Sequence, residues 1–167
     1  MKNLIVVNVA EQRLQLFSGN AVTIDVEIAS AKNGVGERVG SECTPRGWHQ
    51  VRAMIGADAQ INAVFVGRRN TGEIYSPDLR RKFPNRDWIL TRILWLSGLE
   101  LGKNRLGAAD TMRRYIYIHG CPDEDEMGTP SSHGCVKMHN TDVIKLFSAV
   151  TPGTQVFIGE KGLLVKK

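Results

Sequence analysis

The chain is predicted to be a mainly β domain with one clear helix near its C-terminal end. Three observations support this fold class. Short apolar runs, many of them alternating with polar residues, recur along the chain. Gly, Pro, Asn and Ser separate these runs at short intervals. Only residues 140–150 place apolar side chains clearly at helical spacing. A chain of 167 residues is long enough to bury its own core, so we expect residues 1–167 to form a single domain.

Three strands are predicted to open the chain as an antiparallel meander. Residues 3–9 are largely apolar, and Leu14 and Leu16 alternate with polar neighbours. Residues 22–28 carry Val or Ile at every second position, which predicts a strand with one face in the core. A Ser-Gly-Asn turn at 18–20 separates the second strand from the third.

The middle of the chain is predicted to alternate loops with strands. Residues 31–47 are rich in Gly and polar side chains, whereas 48–55 and 63–66 read as strands, and 88–96 form an apolar run interrupted by Thr91 and Arg92. Residues 76–87 carry four basic side chains with Phe83 and Pro84, typical of a solvated loop or short helix. An arginine inside an apolar run is paired or lines a cleft, which makes Arg92 a candidate substrate-binding residue.

The last third begins with a predicted strand over 115–119. Alternation places Ile116 and Ile118 on one side and Tyr115, Tyr117 and His119 on the other. Residues 120–131 contain Pro, Gly and four consecutive acids, which predicts an exposed loop beside the site. These acids would either attract a substrate amine or simply be solvated.

The predicted helix over 140–150 is followed by a closing strand over 155–158. Asn140 or Thr141 is expected to cap the helix, and Val143, Leu146 and Phe147 give it an apolar face. Pro and Gly at 152–153 end it.

Residues 131–138, Ser-Ser-His-Gly-Cys-Val-Lys-Met, are the centre of the chemical argument. The Cys135 thiol needs a base, because an ordinary thiol is mostly protonated at neutral pH. His119, at the end of the strand upstream, is the natural partner. Gly134 leaves room for backbone N–H groups to converge on an oxyanion, and the small Ser131 and Ser132 fit the same close approach.

These two blocks closely resemble the signature of the L,D-transpeptidase catalytic (YkuD) domain family, a His-Gly at a strand end followed by Ser-His-Gly-Cys. The resemblance implies mixed sheets in a β-sandwich or barrel-like arrangement. It also implies that Cys135 is the nucleophile and His119 its base, oriented by the carbonyl of Gly120. Backbone N–H groups of His133, Gly134 and Cys135 would form the oxyanion hole.

Further residues are candidates for substrate binding. Lys137 stands where the family usually has Arg, which keeps the charge but loses the planar fork. It is two residues beyond Cys135, so it would point to the same side of a strand. Ser132 and Tyr117 are candidates because of their places beside the catalytic pair. Arg46, in a Thr-Pro-Arg-Gly turn similar to one in the family, would meet a carboxylate or be solvated.

The resemblance implies acyl transfer through a thioester on murein stem peptides, cleaving between a diamino acid and D-alanine. It implies no cofactor, and it implies carbapenems as inhibitors that acylate Cys135. The N-terminal apolar run at 4–7 is too short for a secretory leader. The expectation is therefore a cytoplasmic L,D-carboxypeptidase that converts tetrapeptides to tripeptides in murein recycling. The alternative is an exported L,D-transpeptidase forming 3-3 cross-links, with its leader missing.

Other readings of the sequence remain open. The net charge of +5 suits an anionic partner or simply solubility, and we expect a monomer with neither a nucleic-acid nor a membrane partner. His-Gly-Cys occurs at 119–121 and again at 133–135, so zinc is weighed, but no Cys-x2–4-Cys knuckle is present and no metal is expected. A non-catalytic peptide-binding module, or Cys121 as the nucleophile, completes the alternatives.

Overall fold

The computed structural model describes residues 2–161, and its strands join in one continuous mixed sheet. This confirms the mainly β fold class. Two helices and a 3-10 turn at Gly107–Ala109 complete the structure. The strands are β1 (Asn3–Asn8), β2 (Arg13–Ser18), β3 (Ala21–Glu27), β4 (Gly47–Ile55), β5 (Ala63–Val66), β6 (Arg69–Ile74), β7 (Ile89–Gly98), β8 (Tyr117–Cys121), β9 (Val136–His139) and β10 (Gln155–Gly159), and the helices are α1 (Pro77–Lys82) and α2 (Asn140–Ala149).

The sheet runs in the order β3-β2-β1-β10-β4-β7-β5-β6, and β8 and β9 branch from it at β7. Two strand pairs are parallel: β1 with β10, and β8 with β9. The remaining pairs are antiparallel, including the predicted meander of β1, β2 and β3. The branch at β7 places β8 and β9 on the curled sheet beside the long central strand.

The third strand differs from its prediction because β3 lies at the edge of the sheet. Ile24 and Val26 are only partly buried against the core, and Val22 is 46% exposed. Ile28, just past the end of β3, is fully buried. The alternation predicted that the apolar face of β3 lies in the core. At the edge of the sheet that face is only partly covered, because the strand has a neighbour on one side only.

The main core lies between the sheet and α2. Val143 and Leu146 of α2 pack with Leu94, Ile118 and Val136, all with no exposed surface. The predicted apolar spacing of the helix is thus confirmed. This packing holds β8 and β9 firmly on the sheet.

A second apolar cluster lies on the other side of β8. Tyr117 packs there with Phe65, Ile89 and Ile93, and Cys135 contacts the same cluster. The residues that precede and follow Tyr117 belong to the main core instead. The predicted alternation of Ile116, Tyr117 and Ile118 is therefore confirmed, and it turns the Tyr117 side chain toward Cys135.

The start of α2 corrects the predicted cap. His139 occupies the N-cap position without a side-chain capping bond, and Asn140 is the first helical residue. The Asn140 amide donates to the Cys121 carbonyl (2.9 Å) and to Asp123 Oδ1 (3.1 Å), and its oxygen accepts from Thr91 Oγ1 (2.6 Å). Asn140 fastens the end of β8 to the neighbouring segments, so it is not available for capping.

Two further expectations changed. Strand β6 was not predicted, because its sequence Arg-Asn-Thr-Gly-Glu-Ile is almost entirely polar and exposed at the sheet edge. The loop predicted to start at residue 120 starts later, since Gly120 and Cys121 are buried in β8. Within 76–87 the short-helix alternative is observed as α1, capped by Ser76 Oγ accepting from the Leu79 N–H.

Among residues 2–161, no helix is both long enough and apolar enough to cross a membrane.

Candidate active site

The parallel pairing of β8 with β9 brings the predicted catalytic residues together. His119 lies opposite Lys137 in the register, and side chains alternate along a strand. One step earlier on the same face are Tyr117 and Cys135. The Tyr117 N–H donates to Cys135 Sγ (3.3 Å), and the thiol donates to the Tyr115 carbonyl (3.5 Å). Cys135 therefore lies two residues before the position opposite His119, with its side chain on the same face as the imidazole.

His119 is buried, with 1% of its surface exposed, and is held in one orientation. Its Nδ1 lies 2.6 Å from the Gly120 carbonyl oxygen, so Nδ1 carries the proton and donates. This tautomer leaves Nε2 free to accept a proton. Gly120 admits no side chain, because a Cβ would come within 2.6 Å of the Leu90 carbonyl oxygen and even closer to Asn140 Oδ1. The close backbone approach requires glycine at this position.

Hydrogen bonds hold the nucleophile turn, residues 132–135, from two sides. Ser132 Oγ donates to the Cys135 carbonyl (2.5 Å) and accepts the Gly134 N–H (3.2 Å). Thr44 Oγ1 donates to the Gly134 carbonyl (2.9 Å) and accepts the Ala31 N–H (2.9 Å). Gly134 has φ +133°, a conformation in which an L side chain is strained. Ser132 therefore shapes the turn from inside it, and Thr44 anchors it to a distant loop.

The turn also limits which backbone groups can hold an oxyanion. Because the Gly134 N–H already donates to Ser132, it is engaged in this structure. The N–H groups of His133 and Cys135 have no hydrogen-bond partner within the described part of the chain. These two are the better candidates for an oxyanion hole.

Burial controls the protonation of the catalytic pair. It raises the pKa of the Cys135 thiol to about 12, although the nearby Arg114 and Lys137 charges act in the opposite direction. Burial also lowers the pKa of His119, against the effect of the Asp87 carboxylate. Burial therefore favours the neutral thiol and the neutral imidazole over their charged forms. Such a pair suits proton transfer during attack rather than a preformed ion pair.

A cleft of about 380 Å³ opens beside the nucleophile turn. A larger depression, about 640 Å³, lies over residues 101–109 and includes no residue of the nucleophile turn. Cys135 and His119 themselves line neither cavity, so the smaller cleft is adjacent to the pair rather than over it. The smaller cleft carries both signs of charge and suits a polar ligand. It is lined by Arg80, Pro84, Asn85, Arg86, Asp87, Trp88, Asp125, Ser131, Ser132, His133 and Lys137.

Lys137 enters this cleft with its charge partly compensated. Its Nζ is 3.6 Å from Asp125 Oδ2, and Arg80 Nη1 is 2.7 Å from Asp125 Oδ1. Glu124 accepts from the Tyr75 hydroxyl and lies 3.7 Å from Arg80. Asp123, Glu124 and Glu126 are exposed, as a solvated acidic loop predicts, whereas Asp125 is mostly covered and fastens the loop to α1 and β9.

Two predicted substrate-binding residues lie away from the cleft lining. Arg46 pairs with Glu37 (3.2 Å) and with Glu160 (2.8 Å). Arg92 donates to two backbone carbonyls at 2.8 and 2.7 Å. Of the other candidates, Lys137 and Ser132 line the cleft, whereas Tyr117 is buried behind Cys135.

The remaining cysteines occupy different environments. Cys121 is fully buried, donates to the Met138 carbonyl (3.4 Å), and has a pKa raised to about 12 by burial. Cys43 is partly exposed on the loop that carries Thr44. In residues 2–161 no group of three or more His, Cys, Asp or Glu side chains is placed to hold a metal ion. The zinc alternative thus finds no ligand set there.

Sequence reasoning missed three residues around the site. Asp87 lines the cleft and acts electrostatically on both His119 and Cys135. The half-buried Arg114 donates to the Cys43 carbonyl (2.6 Å) behind the nucleophile turn. Neither residue stands in a recognisable local pattern. The third, Thr44, belonged to a turn similar to one in the family, but its bond across ninety positions to residue 134 has no local signal.

Comparison with protein-family models matches residues 2–158 to the L,D-transpeptidase catalytic domain (YkuD). The chain belongs to this family. The probable L,D-transpeptidase ErfK/SrfK of Salmonella typhimurium strain LT2 is 30% identical over 157 residues. That alignment covers 92% of this chain and 43% of the relative, so this L,D-transpeptidase domain spans less than half of the relative's length.

Solved structures show the same fold at low sequence identity. Bd1075 of Bdellovibrio bacteriovorus superposes with a TM-score of 0.60 at 15% identity, over 99% of this chain and 50% of the other. The L,D-transpeptidase LdtMt1 in complex with imipenem gives 0.56 at 15% identity, over 94% and 58%. The L,D-transpeptidase fold therefore extends over nearly all of this chain.

Proposed function

We propose that this L,D-transpeptidase domain is a cysteine acyl-transfer enzyme that cleaves murein stem peptides between a diamino acid and D-alanine. One observation carries the proposal. Cys135 and His119 face the same side of two paired parallel strands, with Nδ1 of the imidazole fixed on the Gly120 carbonyl. Family membership supports the substrate class.

The proposed reaction passes through a thioester. His119 Nε2 takes the thiol proton as Cys135 Sγ attacks the amide carbonyl, and a C–S bond forms. Backbone N–H groups of His133 and Cys135 hold the oxyanion. When the C–N bond breaks, His119 returns the proton to the leaving amine and D-alanine departs. The acceptor then attacks the thioester, its proton passes to His119, and the Cys135 thiol is restored.

The acceptor that we propose is water, which makes the enzyme an L,D-carboxypeptidase producing tripeptides in cytoplasmic murein recycling. The alternative acceptor is the side-chain amine of a second stem, which would give 3-3 cross-links. Both reactions share every step up to the thioester. An acceptor assay therefore separates them.

The test is incubation with tetrapeptide alone and with an excess of acceptor peptide, followed by mass spectrometry of the products. We expect tripeptide and free D-alanine in both cases, and a cross-linked dimer as the main product would establish transpeptidation instead. Cys135→Ala should abolish turnover, whereas Cys121→Ala and Cys43→Ala should retain it. An inactive Cys121→Ala together with an active Cys135→Ala would refute the assigned nucleophile.

Carbapenems are the inhibitors proposed for this site. One structural relative was solved in complex with imipenem. The strained lactam carbonyl would be attacked by Cys135 in place of the amide, and its nitrogen would stay tethered after ring opening. Since no leaving group diffuses away, we expect the adduct to accumulate. Intact-protein mass spectrometry should show one added drug mass, and an adduct persisting in Cys135→Ala would contradict the assignment.

A further inference from the structure

A cationic side chain without a part in the proposed reaction lies at the tip of the β5–β6 hairpin. Val66 pairs with Arg69, so Gly67 and Arg68 form a two-residue turn. Gly67 has φ +58°, as the first position of one type of tight hairpin turn requires. The hairpin therefore presents Arg68 from a short, defined turn rather than from a long loop.

Arg68 packs on aromatic rings beside the nucleophile. Its guanidinium carbon is 4.2 Å from the Trp95 ring centroid and 5.3 Å from that of Tyr115. Its Nη1 donates to the Tyr117 hydroxyl (3.1 Å). We refer to Arg68, Trp95, Tyr115 and Tyr117 as the Arg68 cluster. The Trp95 ring is itself fixed, because Nε1 donates to the Met112 carbonyl (3.1 Å).

Three members of the Arg68 cluster, Trp95, Tyr115 and Tyr117, lie against Cys135. The Tyr115 carbonyl and the Tyr117 N–H both hydrogen-bond to Cys135 Sγ, and the Tyr117 and Trp95 side chains share an apolar cluster with Cys135. On β8, Tyr117 lies two residues before His119, which is opposite Lys137, and Trp95 on β7 is the register partner of Tyr117. The cluster therefore flanks the nucleophile on the side away from Lys137.

The free groups of Arg68 define what it can bind. Stacking occupies a face of the guanidinium, and the N–H groups at its edge point outward in one plane. One of these bonds Tyr117, and within residues 2–161 no carboxylate forms an ion pair with Arg68. Arg80 and Arg86 in the cleft, by contrast, are paired with Asp125 and Glu73. A planar donor edge with this geometry matches a carboxylate.

We propose that the Arg68 cluster is a binding site for a carboxylate of the peptide substrate. Tyr115, 56% exposed, supplies apolar surface beside this charge for the adjoining part of the peptide. The substrate named here rests on the proposed function, but a carboxylate site next to Cys135 is testable without it. Two sources of the carboxylate are distinguished below: the leaving D-alanine and the acyl portion of the peptide.

The first test uses thiol reagents of different charge in a Cys43→Ala background. Dithiobis(nitrobenzoate) carries aromatic carboxylates, whereas dithiodipyridine is a neutral aromatic disulfide. The rate ratio of the two at Cys135 should fall about 10-fold in Arg68→Gln, the size expected for a lost charged hydrogen bond. Arg69→Gln makes the same charge change one residue away and should leave the ratio unchanged. Equal ratios in the parent protein and Arg68→Gln would overturn the proposal.

The second test identifies the carboxylate with peptides amidated at one carboxyl group at a time. Amidating the recognised group should lower kcat/KM roughly 10- to 100-fold in the wild type but hardly at all in Arg68→Gln. An effect of the C-terminal amide identifies the D-alanine carboxylate, and an effect of another amide identifies the acyl portion. Arg68→Lys, which keeps the charge, should restore part of the sensitivity to amidation that Arg68→Gln loses. Circular dichroism melting should show that each variant is folded.

The two tests separate failure of this site from failure of the proposed function. If no peptide is cleaved but the reagent ratio still falls in Arg68→Gln, the reaction is wrong and the carboxylate site stands. If peptides are cleaved and every amidation acts equally in the wild type and in Arg68→Gln, the carboxylate site is wrong and the reaction stands.

Discussion

Burial sets the protonation state of the two residues that carry the proposed reaction. The pKa of Cys135 is raised to about 12 and that of His119 is lowered, in both cases chiefly because their charged forms lose hydration. Transfer of the thiol proton from Cys135 to His119 would then occur only when a bound substrate brings its carbonyl to the sulfur. The free thiol would then react slowly with oxidants and small electrophiles at neutral pH.

The pH dependence of alkylation reports this state directly. In a Cys43→Ala background, the rate of Cys135 with neutral iodoacetamide should keep rising with pH to about 12, because only the thiolate reacts. Lys137→Glu should move the profile to higher pH, since the Lys137 charge lowers the thiol pKa. A plateau reached below a pH of about 8 would instead reveal a preformed thiolate.

The two histidines near the thiol should differ in importance. His119→Ala is expected to reduce kcat roughly 10²- to 10⁴-fold, the usual effect of a positioned general base. His133 is exposed at the cleft and contributes mainly its backbone N–H, so His133→Ala should cost much less. Steady-state kinetics on the tetrapeptide provides the comparison. Equal losses would show that the His133 ring takes part.

At the scale of elements, the geometry of the nucleophile turn depends on a loop far away in sequence. Thr44, on that loop, bonds both the Ala31 N–H and the Gly134 carbonyl and is fully buried. Removing its hydroxyl would leave two buried backbone groups without a partner. The turn would then be free to shift away from the geometry needed for attack.

Thr44→Val tests this anchor. It should lower the free energy of unfolding by about 1–3 kcal/mol, the cost of leaving buried polar groups unpaired, and it should lower kcat as well. Urea denaturation and tetrapeptide kinetics measure the two effects. Thr23→Val removes a hydroxyl that bonds a backbone carbonyl at the exposed β3 edge and serves as the matched control. Unchanged kcat in Thr44→Val would mean that the turn holds its shape alone.

Local pattern predicted the elements whose faces differ in polarity. The bounds of β5 and the alternation of Ile116, Tyr117 and Ile118 follow from apolar periodicity. Strand β6 was missed because it pairs only by its backbone at the sheet edge. The cap of α2 was misplaced because contacts with β7, β8 and the following loop determine where Asn140 points.

The residues of the candidate site likewise divide into those that local sequence motifs reveal and those that only the folded structure brings in. His119, Gly134 and Cys135 stand in short motifs and could be named from sequence. Thr44 and Arg68 reach the site from segments that are distant in sequence, through contacts that no local window contains. Pairing of the acids at 124 and 125 with Arg80 likewise depends on the fold.

For the molecule as a whole, a buried histidine outside the site is a source of acid sensitivity. His49 has no exposed surface; its Nδ1 bonds the Gly47 carbonyl (3.0 Å), and its Nε2 bonds Thr111 Oγ1 (3.0 Å). Burial lowers its pKa from 6.5 to about 4. The folded state thus favours the neutral ring. This preference contributes to the free energy of unfolding fully above pH 6.5, and the contribution is lost as the pH falls through about 4.

The free energy of unfolding should fall by about 3 kcal/mol when the His49 ring becomes charged. Urea unfolding midpoints measured between neutral pH and a pH of about 4 should fall steeply in the wild type. His49→Gln should be less stable at neutral pH but should lose less on acidification. Parallel curves for the two proteins would exclude His49 as the source.

The insertion of β10 between β1 and β4 has a consequence for synthesis on the ribosome. Residues 155–159 supply the missing hydrogen-bonded neighbour of both β1 and β4. β1 is made first, and β4 is made about a hundred residues before β10. Until β10 is made, two interior strands expose unpaired backbone edges, which are templates for intermolecular pairing. The facing edges of β1 and β4 therefore stay open to pairing with other chains until residues 155–159 have been made, and the sheet closes only when β10 inserts between them.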